Sequence, residues 1–482
     1  MRKAVLLAIA GCLMLSGCYG MRPSAGGGSL SRLTLERNVN PADIALPAGY
    51  FAEAVATGLT FPTGVAFDEQ GTPFVVEAGY SYGEVWDTPR LLHIDGGKAT
   101  AVAQGGKNGP WTGVARLGSD FVVAEGGELE GGRILRITQQ GKISTLIDTL
   151  PTRGDHHTNG PAIGPDGLIY FGLGTATNSA VVGDDNRKFG WLQRYPDFHD
   201  TPCRDVTLTG ENYTTEQNGA TMTTGAFSPF GTATSRGQVI AGKVPCSGAV
   251  LRIPPAGGTP ELVAWGFRNP FGLAFSPEGT LFVTDNGYDE RGSRPVYGAA
   301  DVLWDLSRGN WFGWPDFSAG VRLDQGDQFK PPGGGTPKLL LETYPAEPPR
   351  PAAILPVHSS ANSFDFSRNE RFGHRGEAFI PLFGDQSPTT GKSMGPVGFK
   401  VVRVNVKSGV IEEFAANKGK KNGPASGLGT GGLERPVAAR FDPSGEYLYV
   451  VDFGVLKETK SGAEPQRKTG VLWRIGKKRQ NN

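Results

Sequence analysis

One strand–turn–strand pattern recurs six times between residues 61 and 454, and this recurrence limits the fold more than any other feature of the chain. The copies read F-P-T-G-V-A-F-D-E-Q-G-T-P-F-V-V-E-A-G (61–79), W-T-G-V-A-R-L-G-S-D-F-V-V-A-E-G-G (111–127) and N-G-P-A-I-G-P-D-G-L-I-Y-F-G-L-G (159–174). The other three run from 268 to 287, from 362 to 385 and from 435 to 454. Each has a small or polar entry loop, an apolar strand, a turn of Asp, Pro or Gly, and a second apolar strand ending near an acid or a glycine pair. Alternating segments with a basic residue near the middle lie between copies: R-I-L-R-I (133–137), A-V-L-R-I (249–253), K-V-V-R-V (400–404) and V-L-W-R-I (471–475). Two strands from a copy and one or two from a connector make one antiparallel sheet. A repeat of ~40–70 residues built from short strands reads as a propeller or solenoid rather than as separate domains. The pattern predicts an all-β, six-bladed β-propeller with antiparallel four-stranded blades. Segments 51–57 and 470–475 are expected to share a blade and close the ring, which removes exposed sheet edges. An array of β-sandwiches explains the regular count less well.

Composition supports the same class. The 482 residues include 72 glycines and 36 prolines, which favours turns and short strands over long helices. A net charge of +1 gives no reason to expect a nucleic-acid partner. The N-terminus reads as a targeting segment: Met1-Arg2-Lys3, then an apolar run over 4–15, then Leu15-Ser16-Gly17-Cys18. The last four residues resemble a bacterial lipobox. Residues 1–17 are then a lipoprotein signal peptide, Cys18 the lipidated first residue, 18–44 a flexible tether, and 45–478 the propeller, with an insert around 180–247. The membrane would be met through the lipid alone. Tyr19, rather than Asp, follows the cysteine, which points to an outer-membrane lipoprotein facing the periplasm. In that oxidising compartment Cys203 and Cys246 are expected to form a structural disulfide clamping the insert. Their spacing suits no zinc site, and no C-x-x-C-H haem motif exists.

In a propeller, the loops before the innermost strands converge on one mouth of the central channel. Gly154-Asp155-His156-His157-Thr158-Asn159-Gly160 places two of the six histidines on such a loop. A neutral imidazole there can accept a proton near pH 7. Arg268-Asn269 and Arg435 stand at the same point of their own repeats. A guanidinium in such a place is costly to bury unless an anion meets it, whether a ligand or a neighbouring Asp. Glu434 is a candidate partner for Arg435. The oxygen-rich loop Thr284-Asp285-Asn286-Gly287-Tyr288-Asp289-Glu290, with Asp301, suits either calcium or solvent. His358 precedes Ser359-Ser360, but the sequence pairs no acid with them. The motifs H-E-x-x-H, G-x-G-x-x-G after a strand, and G-x-S-x-G are all missing.

Taken together, D-H-H-T-N-G-P-A-I-G-P-D-G, G-F-R-N-P-F-G-L-A-F, D-N-G-Y and N-W-F-G-W-P (310–315) resemble the soluble glucose/sorbosone dehydrogenases over roughly residues 45–476. That family consists of six-bladed propellers that use pyrroloquinoline quinone (PQQ) and calcium. The resemblance implies a PQQ-dependent oxidation of an aldose or related polyhydroxy aldehyde. It implies His156 as general base, with His157 the alternative if the register slips by one. Arg268 would steady the reduced quinone oxygen, Asn269 would contact the cofactor, and Arg435 would pair one of its carboxylates. Carbonyl oxygens of Gly287 and Tyr288 would hold calcium, with Asp301 on the same segment. With no haem motif, electrons would leave to a separate acceptor.

The chain departs from the family in two places. Asn159-Gly160-Pro161 stands where relatives often have Gly-Arg. The lysine expected after the fifth-blade strand is missing, with only Lys392 or Lys400 nearby. Two other classes of function remain open: a calcium-dependent propeller lactonase or related hydrolase, and a non-catalytic propeller binding a glycan or protein at the cell surface.

Overall fold

In the computed structural model, which describes residues 36–478 apart from 80–86, 128, 218, 388–389, 392 and 460–461, six antiparallel sheets stand around one axis. Their innermost strands are Pro62–Phe67, Trp111–Leu117, Thr158–Ile163, Pro270–Phe275, Asp365–Phe366 and Pro436–Phe441. Each packs against the next, and the last packs against the first, so the ring is closed. The recurring segments each supply the first two strands of a blade, and the basic-centred connectors supply the third strand of four blades. The sixth blade joins both ends of the chain: Tyr50–Leu59 pairs with Gly470–Lys477, Ala54 opposite Trp473. The expected closure is therefore found. The fifth blade carries a short extra strand, Ile44–Ala45, paired with Asn417 and Ala416.

The described part of the expected tether is docked. Asn40 caps the short 3-10 turn Pro41–Asp43, and Arg37 donates to Asp452 at 2.6 Å and to the carbonyls of Gly432 and Thr469. Cys18 and the signal segment lie outside the described residues. The insert contributes two short helices, Asp184–Lys188 and Trp191–Arg194, and a hairpin, Asn212–Gln217 with Ala220–Gly225. Cys203 and Cys246 are bonded within it.

Two sequence features explain how six strands fit so tightly around the axis. The glycine of the entry segment lets neighbouring backbones touch. A Cβ on Gly113 would sit 2.1 Å from the Gly160 carbonyl oxygen, and one on Gly272 would sit 2.5 Å from that of Asn362. Five inner strands also break register at the same point, just after the entry loop: at 62/64, 111/113, 159/162, 270/272 and 436/438. A bulge bends its strand and re-aims the residues beside it. Here it turns each entry loop toward the mouth. Between blades the core is apolar and dense, with Trp111, Trp304 and Trp473 almost fully buried.

Candidate active site

The acid that closes the second strand in four repeats pins the entry loop. Glu77 accepts from Thr60 N, and Glu125 from Asn108 and the Trp111 indole. Asp285 accepts from the backbone N–H groups of Arg268 and Asn269 and from Trp304. Asp452 accepts from those of Glu434 and Arg435 and from Trp473. Buried carboxylates tying down backbone donors fix loop geometry without help from solvent. Burial dominates at Asp285 and pushes its pKa up to about 7, although every hydrogen bond it receives favours the ionised form.

The third blade has no such acid. Leu173 holds the place, pairing with Thr158, and Gly174 follows. A Cβ on Gly174 would lie 2.2 Å from Cβ of His156, so the glycine makes room for the imidazole. His156 is buried, and its Nδ1 lies 2.9 Å from the Thr175 carbonyl oxygen and 3.1 Å from its hydroxyl. The Thr175 hydroxyl itself donates to the Thr177 carbonyl. A carbonyl oxygen accepts only, so Nδ1 carries the proton and Nε2 keeps its lone pair. Burial, then the charges of Arg268 and Arg291, lower the His156 pKa well below 6.5. The result is a neutral imidazole with a basic nitrogen. Burial alone brings His157 down to about 4.

Arg268 meets His156 at Thr175, because the Thr175 N–H donates to the Arg268 carbonyl at 2.9 Å while His156 N donates to the Thr175 carbonyl. The guanidinium is held by Asp289 at 2.8 Å through Nη2 and by Asn178 through Nε. Among the described residues its Nη1 has no hydrogen-bond partner. Arg291 completes the network, touching Asp155 at 2.7 Å, Asp185 of the insert at 2.8 Å and Asp289 at 3.0 Å. Burial pushes Asp155 up to about 6, with Arg291 opposing. At Asp289 the two arginines outweigh burial and its pKa is lowered. Asn269 belongs to a chain of amides: Asn159 Nδ2 donates to it, it donates to Asn286, and Asn286 donates to the Ala361 carbonyl.

Arg435 sits at the matching position of the sixth blade. Its Nη1 donates to the Gly384 and Asp385 carbonyls, and its guanidinium lies 5.0 Å from the ring centres of both Phe383 and Phe399. Glu434, a candidate neutralising partner, accepts from Ser426. Lys400 pairs with Glu413 at the blade surface, and Lys392 lies outside the described residues. Asp301 accepts from Gly287 N, the Ser359 hydroxyl and Ala361 N. The Gly287 and Tyr288 carbonyls accept no hydrogen bond among the described residues, and no group of three His, Cys, Asp or Glu there suits a metal. Calcium takes about six to eight oxygens. The two carbonyls and the remaining lone pair of Asp301 Oδ1 supply part of such a shell, which water and ligand oxygens would have to complete.

Sequence reasoning missed Thr175, Asn178, Asp185 and Arg291. It also found no acid for His358, whereas Glu290 stands 3.6 Å from that imidazole and Asp301 holds Ser359. Only Arg291, the residue directly after the loop 284–290, carried any signal.

No protein-family model matches the sequence, and no curated protein matches it. Solved structures match its fold. The holo form of the pyranose dehydrogenase PQQ domain from Coprinopsis cinerea superposes with a TM-score of 0.54 at 15% identity, over 95% of this chain and 100% of that one. The apo form of the soluble aldose sugar dehydrogenase from Escherichia coli gives 0.50 at 15%, over 89% and 100%. A calcium structure of the Trichoderma reesei family AA12 carbohydrate-active enzyme gives 0.51 at 16%, over 92% and 99%. The chain shares their fold. At such identities nothing about chemistry transfers with it.

Proposed function

We propose that the protein is a quinone-dependent dehydrogenase of aldoses or similar polyhydroxy compounds, with His156 as general base. The observation that carries this reading is the His156 tautomer. A buried imidazole whose Nδ1 is tied to a carbonyl presents a basic Nε2 beside the Arg268 guanidinium. That pairing suits removal of a hydroxyl proton while charge develops nearby. The names of the structural neighbours, a pyranose dehydrogenase PQQ domain and a soluble aldose sugar dehydrogenase, support the same class.

The residues fit a planar anionic quinone. Arg268 keeps Nη1 disengaged, Asn269 lies beside it, and Arg435 offers a guanidinium braced by two phenyl rings. When bound, the quinone supplies the two-electron acceptor. His156 Nε2 takes the substrate hydroxyl proton. Asp289 and Asn178 hold Arg268 in place, and Arg291 ties the insert over the same loop through Asp185 and Asp155. No step is assigned to calcium. Electrons pass on to a separate acceptor, and Cys18 tethers the protein to the envelope by its lipid. A Cys18→Ser variant released into the soluble fraction tests that last point.

The deciding experiment is titration of the purified protein with PQQ, followed by aldose-dependent dye reduction. Saturable quinone binding with sugar-dependent turnover is expected. Lactone hydrolysis without quinone would replace this reading by a hydrolase, and binding of neither quinone nor lactone would sink both.

A further inference from the structure

The channel has a second end. From Arg435 at the mouth to Arg440 the inner strand of the sixth blade runs about 17 Å. At that far end the last residues of the inner strands line a cavity of about 290 Å³ that opens to solvent. Most of its wall is apolar, including Val65, Val114, Ile163, Leu273 and Phe441. Three arginines reach it. Arg116 is spent on Glu69 and the Gly118 carbonyl. Arg368 is held by Asp365 at 2.8 Å and by the Phe275 and Phe366 carbonyls. Arg440 donates Nη1 to the Phe364 carbonyl. Among the described residues no carboxylate comes within ion-pair distance of it. Asp365, the nearest acid in the wall, spends its second oxygen on Phe441 N. Burial, opposed by Asp365 and joined by Arg368, lowers the Arg440 pKa from the ordinary guanidinium value.

Arg440 is half-buried in this apolar wall and lacks a carboxylate partner there, so an anion in the cavity beside it would meet its charge. The charge balance sets the kind of anion. Arg440 and Arg368 against Asp365 leave one positive charge, which matches a monoanion and not a doubly charged phosphate. The apolar wall asks for an apolar body, and the volume sits near the lower end of the ~300–1,000 Å³ usual for ligand pockets. We propose that this far end of the channel binds a small monocarboxylate with an apolar body, its carboxylate on the Arg440 fork. The site is separate from the mouth that carries His156, so it stands whether or not the dehydrogenase reading does.

The test is calorimetric titration of the full chain with naphthalene-2-carboxylate, alongside the neutral naphthalene-2-carboxamide and inorganic phosphate. One saturable site per chain is expected for the carboxylate. Losing a charge-assisted hydrogen-bond pair should weaken binding about tenfold to a hundredfold, for the amide and for Arg440→Gln alike. Ala115→Leu, which narrows the cavity without touching charge, should also weaken it, with the fold of each variant checked by its melting temperature. No binding by the wild type, equal binding of the amide, tighter binding of phosphate, or unchanged affinity in a folded Arg440→Gln would each overturn the proposal.

Discussion

Nδ1 of His156 lies 2.9 Å from the carbonyl oxygen of Thr175, and that single contact decides which nitrogen of the imidazole is basic. His156→Ala removes the base and should cut dye-linked sugar oxidation by ~10²–10⁴-fold while quinone binding is retained. His157→Ala should leave turnover near the wild-type value, because His157 is the neighbour and not the base. Wild-type rates in His156→Ala would end the assignment. Collapse in His157→Ala with His156→Ala active would shift the register by one.

The acid limb of the rate profile follows from the same environment. Burial and two arginines hold the His156 pKa well below 6.5, so Nε2 stays unprotonated at pH values where an ordinary histidine would be charged. The limb in kcat should therefore fall below pH 6.5. A midpoint at or above 6.5 would show that the base is another group or that the imidazole is solvated.

His157 gives stability a defined pH window. Its folded pKa of about 4 lies below the free value of 6.5, so the unfolded chain binds a proton that the fold rejects. Its contribution is complete above pH 6.5 and is lost as pH falls toward 4. The loss reaches about 3 kcal/mol at 1.36 kcal/mol per unit. In denaturant titrations at pH 7 and pH 4.5, His157→Gln should lose less stability on acidification than the wild type. Equal losses would place His157 in water.

Among the described residues, Arg291 is the only cation that touches Asp155, Asp185 and Asp289 together. Arg291→Met leaves those buried carboxylates with Arg268 alone and should cost ~3–5 kcal/mol. The insert helix should loosen first, since Asp185 sits on it. Faster proteolysis within 180–200 together with a lower melting temperature is the expected pair of readings. A melting temperature unchanged from the wild type would mean that solvent already compensates these acids.

The blades were legible in the sequence because each repeat carries its own period-two pattern and turn, and closure follows from the two unpaired terminal strands. The acids of the repeats were visible as well, but their role was not. Glu77, Glu125, Asp285 and Asp452 end strands in one dimension and anchor neighbouring loops in three. His156, Arg268 and Asn269 could be found because they stand at equivalent points of their repeats. Thr175 and Asp185 could not, since Thr175 lies just past the end of its repeat and Asp185 belongs to an insert that follows no repeat. The docking of Arg37 on Asp452 spans 415 residues of chain, and no local pattern announces a contact that long.

Arg37 yields the last prediction. Its side chain is 4% exposed and that of Asp452 is 0%, so the pair is buried. The same Asp452 holds the backbone N–H groups of Glu434 and Arg435, which places the N-terminal segment one contact away from the entry loop of the sixth blade. Arg37→Met leaves Asp452 without a cation and should cost ~3–5 kcal/mol. The loop that presents Arg435 should relax with it, and since Arg435 is assigned to the cofactor, quinone affinity should fall more than kcat at saturating quinone. Removing residues up to 45 should reproduce both effects. If Arg37→Met melts and binds quinone like the wild type, the segment from 36 to 45 is a passive extension and the sixth blade holds its loop unaided.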